Sequence, residues 1–327
     1  YWDDSAEWTE TLYDDTLKLM NADLTGSNPP DMIDLSYVNI SNLTAKGVLE
    51  DLTPYLEKST IVKEEDFVPG VLEAYTIQDK LVTIPRRFRI STLAGKSSVV
   101  GTKNGWTIDE VMALAKRYPE AELIQYMTKA YALQLSMQYN SASFVDYEKG
   151  TCNFDSPEFI KVLEFANCFE SEPDYASNES LPQQLQENKI LLSNIDVSSV
   201  EQYIMYQEMF EEAVTNIGFP TADGSRGIIL NGNDVYGICA MSAHKEGAWA
   251  FLEKYLQYDA NDMYAWGLPC RVDELEEMFQ KAQTPEYQKD ENGEFKKDEA
   301  GNLIEIPKTI WGYDDWEAEI YAASEEQ

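Results

Sequence analysis

A chain of 327 residues, 43% hydrophobic and 26% charged, has the composition of a globular protein and enough length for about two domains at roughly 150 residues each. Twenty-five Lys and Arg against 59 Asp and Glu leave a formal charge of −34. Such a field repels phosphate backbones and anionic bilayers and excludes nucleic acid as a partner. Most of the acid surplus reads as a solvated exterior.

No run approaches the ~18 apolar residues of a membrane helix. The first residues carry no basic-then-apolar pattern, so the sequence by itself does not show secretion.

Helix and strand signals alternate along most of the chain, which argues for an α/β architecture. Asp4 and Glu7 stand in capping-box spacing ahead of Trp8, Leu12 and Thr16, predicting a first helix that Pro29-Pro30 stops. Met32 to Ser36 predicts a short buried strand. Asn42 to Lys46 predicts a short helix closed by Gly47, and Thr53-Pro54 starts another. Leu81–Ile84 and Ile90–Gly95 read as strands. Thr107-Ile108-Asp109-Glu110 is the clearest capping box, with Val111, Leu114 and Ala115 behind it.

Glu122 to Tyr139 predicts one long helix. Ser156-Pro157 opens a further helix whose expected apolar stripe is Phe159, Leu163 and Ala166. Lys189–Ile195 and Val214–Phe219 predict strands around a helix near Val200–Glu211. Asp234–Met241 predicts a buried strand, and Ser242 leads into a helix expected to bury Ala248, Phe251, Leu252 and Tyr255, with Trp249 also in the core. Lys289–Ile306 is polar, with turn signals at Asn292-Gly293 and Gly301-Asn302, and reads as a hairpin. Asp290, Asn292 and Asp298 do not make a calcium loop there, since the glycine falls early and position twelve lacks Glu.

Catalytic machinery is hard to find. The single histidine, His244, stands at a helix start, a capping or surface position. No nucleophile elbow, phosphate loop or dinucleotide fingerprint is present. The four cysteines, Cys152, Cys168, Cys239 and Cys270, form no C-x-x-C pair. Cys152 and Cys168 flank one predicted helix and are close enough in sequence to meet across it, but incidental thiols are the expectation. No metal or cofactor is expected. Paired carboxylates leave a glycan hydrolase as the enzymatic alternative, without any pair that stands out. The 7 Trp and 20 Tyr are more informative, because flat aromatic faces stack on the C–H patches of sugar rings.

Pro30-Asp31-Met32-Ile33-Asp34-Leu35 and Lys46-Gly47-Val48-Leu49-Glu50-Asp51-Leu52-Thr53-Pro54-Tyr55-Leu56 resemble segments of the family 1 extracellular solute-binding proteins of ABC importers, the maltodextrin-binding group. Lys80 to Pro85, Lys245 to Leu252 and Gly267-Leu268-Pro269-Cys270-Arg271 resemble later segments in the same order. The resemblance implies a two-lobed, type II periplasmic-binding-protein-like fold with a ligand cleft between the lobes. Lobe one would comprise residues 1–95 and 235–267, lobe two residues 96–234 and 268–327. Family members have further elements before Tyr1 and after Gln327, so the chain is expected to be shortened at both ends. The implied function is capture of a carbohydrate, an oligosaccharide, by a hinged, non-enzymatic receptor that delivers it to a permease. It would act as a monomeric lipoprotein on the outer face of a bacterial membrane. A peptide ligand and a scaffold role are the other readings.

On that fold, Ser36, Tyr37 and Asn39 follow a strand's C-terminal end, where open α/β sheets bind ligands. Arg86, Arg87 and Arg89, with Phe88 among them, form the densest positive cluster; each arginine either pairs with acids or reaches ligand hydroxyls. Asn194 and Asp196 end another strand, and Asn233 and Tyr236 stand near a crossing. Trp266, beside Gly267 and Pro269, is the best stacking candidate, with Trp311 after the polar segment.

Overall fold

The capping box at Thr107 forms as its spacing predicts. In the computed structural model, which describes residues 10–36, 38–172, 179–225, 227–233, 235–257, 266–311 and 317–323, Thr107 Oγ1 accepts the Glu110 N–H and Glu110 Oε2 accepts the Thr107 N–H at 2.8 Å. The helix Ile108–Arg117 that follows buries Ile108, Val111 and Leu114. The capping pattern expected at Asp4 and Glu7 lies outside the described residues. The helix after it spans Glu10–Thr25 and ends before the Pro-Pro pair, where the Gly26 N–H bonds the Asp23 carbonyl.

The chain divides into two compact units, one of residues 1–87, 232–265 and 270–272, the other of residues 88–231, 266–269 and 273–327. In the first unit, strand Met32–Asp34 pairs antiparallel with Tyr236–Ile238, and Leu49 bridges Cys239. Helix Ile40–Ala45 is capped by the Asn39 side chain and closed by Gly47 at φ +68°, a conformation glycine adopts without a Cβ penalty. Helix Thr53–Lys58 carries its proline in the first turn. Leu52, Val62, Phe67, Val71, Val82 and Ile238 are almost wholly buried.

The strand expected over Leu81–Ile84 is shorter than predicted. Lys80–Leu81 pairs with Thr76–Ile77 across Gln78 and Asp79, both left-handed, so the turn governs the register. The expected strand Asp234–Met241 contracts likewise to Tyr236–Ile238, and Asp234 itself lies outside the described residues. In helix Lys245–Tyr255, Ala248, Trp249 and Leu252 are buried as predicted. Phe251 is not: it is 55% exposed.

The second unit is built on the long strand Arg87–Lys96, whose first residue belongs to the other unit. It pairs antiparallel with Ile190–Val197 and with Val214–Asn216, and it also pairs with Ile229–Asn233 and Leu268–Pro269. Ile190–Val197 is parallel to Glu122–Ile124 on its other side. That last strand corrects the long helix expected from Glu122. Ile124 is 1% exposed beside the sheet, and Tyr126 turns the backbone at φ +52°. A helix then starts at Lys129 under the Thr128 side-chain cap and runs to Phe144.

Helix Pro157–Ala166 buries Val162, Phe165 and Ala166, while Leu163 is 44% exposed. Apolar residues occur nearly all round that helix, so periodicity alone did not select its inner face. Lys289–Ile306 is not one hairpin. Two successive reverse turns bridge Lys289 to Phe295 and Lys297 to Leu303. Each turn repeats Lys-Asp-Glu-x-Gly, with the aspartate carboxylate accepting backbone N–H groups and the glycine left-handed. The backbones of Gln288, Lys296 and Ile304 close a ring of hydrogen bonds, Lys296 to Gln288, Ile304 to Lys296 and Gln288 to Ile304.

Candidate ligand-binding site

Side chains alternate along a strand, and directly paired residues share a face. The antiparallel register places Ser91 opposite Asp196 and Leu93 opposite Asn194, so Arg89, Ser91, Asn194 and Asp196 lie on one face of the second unit's sheet. Asn194 and Asp196 stand at the C-terminal end of a strand whose neighbour Glu122–Ile124 runs parallel to it, the edge where α/β sheets hold ligands.

Arg89 Nη1 donates to Asp196 Oδ2 at 2.9 Å. Ser91 Oγ donates to the same oxygen at 3.3 Å and accepts from Asn231 Nδ2 at 3.0 Å. The Arg89 guanidinium lies over the Trp266 ring, its Cζ 4.4 Å from the centroid, within cation–π range. Trp266 remains 58% exposed. It precedes Gly267, at φ +110°, and then Leu268–Pro269, which pairs with the long strand and carries the indole onto the sheet.

Polar atoms without partners gather at this sheet edge. Among the described residues, Asp196 Oδ1, Asn194 Oδ1, Arg89 Nε, Gln125 Nε2 and Tyr139 Oη are buried and unpaired. Native proteins satisfy most such atoms with protein groups or water, so these atoms are the candidates for hydrogen bonds to another molecule. Gln125 follows Ile124 directly at the end of its strand. Tyr139 stacks on Phe219, with centroids 4.5 Å apart. Burial pushes its hydroxyl pKa well above the usual tyrosine value, and Tyr131 and the Asp196 carboxylate add to the rise.

The first unit carries a separate aromatic cluster. Tyr255 meets Tyr236 edge-on at 5.7 Å and lies parallel to the exposed Phe251 at 6.2 Å, and Arg86 sits over Tyr255 with its Cζ 5.4 Å from the centroid. Ser36 is exposed, and its N–H bonds Asp34 Oδ1. Asn39 uses its side-chain carbonyl to cap a helix, accepting from Asn42 N at 2.8 Å. Tyr37 lies outside the described residues. Asn233 ends strand Ile229–Asn233 and Trp311 ends strand Lys308–Trp311, but their side chains also lie outside the description.

Of the candidates read from sequence, then, Arg89, Asn194, Asp196 and Trp266 come together in the second unit, and Arg86 and Tyr236 in the first. Phe88 does not join them: it is 4% exposed and packs into the core. Ser91, Gln125, Tyr139 and Asn231 were missed. Ser91 was within reach, being two residues along the strand from Arg89. The other three carry no local signal and enter through sheet register and packing.

Among the described residues no group of three His, Cys, Asp or Glu side chains is placed to hold a metal ion. No described helix is long and apolar enough to cross a membrane. Cys152 and Cys168 lie at the surface, and Cys239 and Cys270 are buried. His244 takes the N-cap position before Lys245 without a side-chain capping bond.

The bacterial extracellular solute-binding protein family model matches residues 6–262. The chain belongs to this family, whose members are binding proteins. Its fold resembles that of the sugar-binding protein MalE from Xanthomonas citri, at 18% identity and a TM-score of 0.50 over 81% of this chain and 73% of that one. An ABC substrate-binding protein from Listeria monocytogenes in complex with cycloalternan matches at 18% identity and a TM-score of 0.41, over 82% and 73% of the two chains. The galacto-N-biose/lacto-N-biose I-binding protein of Bifidobacterium longum matches at 15% and 0.42, over 77% and 65%. No curated protein matches by sequence.

Proposed function

We propose that the solute is a carbohydrate, an oligosaccharide, and that the protein is the capture receptor of an ABC importer, passing its ligand unchanged to a permease. One observation carries this reading: a broadly exposed indole stands beside a row of unpaired buried donors and acceptors. Trp266 offers the flat face, Asn194 and Asp196 offer unpaired acceptors, and Gln125 and Tyr139 offer unpaired donors. Sugars present C–H patches and hydroxyls that both donate and accept, which suits such a surface. The Arg89 charge is already balanced by Asp196, so this surface suits a neutral solute better than a charged one.

The MalE-like fold supports the class, and Tyr236 and Tyr255 give the first unit an aromatic surface of its own. The two compact units serve as the lobes. Capture follows from differential affinity, since a solute that binds one conformation more tightly draws the population toward it. No bond is broken in this cycle. The receptor works as a monomer, lipid-tethered at the outer face of a bacterial membrane, in keeping with an extracellular family.

Calorimetry against a panel of neutral oligosaccharides tests the proposal. At least one sugar should bind, should be recovered intact after prolonged incubation, and should lose about tenfold or more in affinity to Trp266→Ala. Binding of peptides with no response to any sugar would overturn the ligand class. Release of hydrolysis products would overturn the non-enzymatic role.

A further inference from the structure

Trp266 is joined to the body of its unit through Gly267, whose φ of +110° belongs to a region other residues avoid. The indole is more than half exposed. Its ring nevertheless has a planar cation laid against it. The Arg89 guanidinium is 4.4 Å from the ring centroid. That plane is itself fixed, because Nη1 is drawn to Asp196 Oδ2 at 2.9 Å and Asp196 belongs to a hydrogen-bonded strand in the middle of the sheet. The Arg89 side chain is 24% exposed, against 39% for that of Asp196, so the pair is partly withdrawn from water, where cation–π and charged hydrogen bonds gain strength.

We propose that Arg89 is the positioning residue of the Trp266 surface: anchored by Asp196, it holds the indole in one orientation so that the ring meets a solute without first being ordered. The assignment of that surface to a sugar rests on the carbohydrate reading; the positioning itself does not. Pre-ordering an aromatic platform improves affinity by removing the entropy cost of fixing it at the moment of binding. Arginine suits the task and lysine does not, since only the guanidinium offers a flat face and directed N–H groups together.

The test has two parts. The first needs no ligand. The fluorescence contribution of Trp266 is isolated as the difference between wild type and Trp266→Phe, and its accessibility to a neutral quencher is measured. Arg89→Ala should shift that contribution and raise its quenching. Arg89→Lys keeps the charge opposite Asp196 and should behave like Arg89→Ala, which a purely charge-stabilising role would not produce. An unchanged Trp266 signal in both variants, with both folded by circular dichroism, overturns the proposal.

The second part is a double-mutant cycle with the tightest-binding sugar from the panel. Arg89→Ala should lower affinity about tenfold in the wild type and add little in the Trp266→Ala background, because it acts through the ring. A full additional loss there would make Arg89 a direct ligand contact and overturn its positioning role. If no sugar binds, the carbohydrate reading fails while the spectroscopic comparison still decides the positioning.

Discussion

The Tyr75 hydroxyl accepts the Gly232 N–H at 2.8 Å, and a Cβ built on Gly232 would stand 2.6 Å from that same oxygen. The hydrogen bond and the missing side chain are two sides of one arrangement, because the tyrosine reaches the backbone only where no Cβ intervenes. Pro85 and Val235 close the remaining space at 2.8 Å each. Gly232→Ala should therefore destabilise the protein by about 1–3 kcal/mol through overpacking, read as a lower denaturation midpoint. Tyr75→Phe removes the oxygen but strands the Gly232 N–H. The double variant should then lose less than the sum of the two single ones, a coupling that denaturation of all four proteins measures.

The Thr107–Glu110 capping box makes a prediction with a sign in pH. Lys103 first, then the Thr107 N–H, hold the Glu110 carboxyl below the usual carboxylate range. A lowered folded pKa means the carboxylate's contribution is present at neutral pH and is lost as acid takes the medium below about pH 4. Urea denaturation should show Glu110→Gln less stable than wild type at neutral pH and the difference narrowing in acid. A gap that stays constant would deny the charge any part. Thr107→Ala should cost about 1 kcal/mol as the hydroxyl cap is lost.

That helix was legible because its information is local: cap, acidic first turn and apolar spacing lie within a few residues of one another. The strand Glu122–Ile124 was not, since its residues suit a helix and only pairing with Ile190–Val197 makes them a strand. The same distinction runs through the proposed binding surface. Trp266, Asn194 and Asp196 were readable from aromatic character and strand ends. Asn231 and Tyr139 reach the site from distant parts of the chain, Asn231 through its 3.0 Å bond to Ser91 and Tyr139 from a helix whose start was misplaced. Phe251 shows the limit of periodicity. It shares an apolar helix with Trp249, yet Trp249 is 6% exposed and Phe251 55%.

The charge of −34 has a consequence for stability that differs from its consequence for partners. Like charges crowded on a compact body repel one another more than on an expanded chain. The screening length falls from about 30 Å at 0.01 M salt to about 10 Å at 0.1 M. Raising sodium chloride across that interval should raise the melting temperature by a few degrees, as scanning calorimetry would record. A fall in melting temperature would mean that ion pairs such as Lys245–Glu50, at 2.7 Å and partly buried, outweigh the general repulsion.

Tyr139 separates the needs of folding from those of binding most directly. Its ring is well placed against Phe219, but its buried hydroxyl has no partner among the described residues. A hydroxyl buried without a hydrogen bond costs about 1–3 kcal/mol relative to one that is paired. Tyr139→Phe keeps the stack and deletes the oxygen, so the free protein should be as stable as wild type or more so, by up to about 1 kcal/mol. Sugar affinity should fall, since the bound state loses a donor. The pH dependence has a sign as well. Because the folded pKa is raised, wild type should lose stability relative to Tyr139→Phe above about pH 10, where the unfolded tyrosine ionises and the folded one resists. Denaturation at neutral and alkaline pH, together with titration of the sugar, checks all three. If Tyr139→Phe instead destabilised the free protein at neutral pH, the hydroxyl would already be satisfied before any solute arrived, and Tyr139 would belong to the core and not to the ligand.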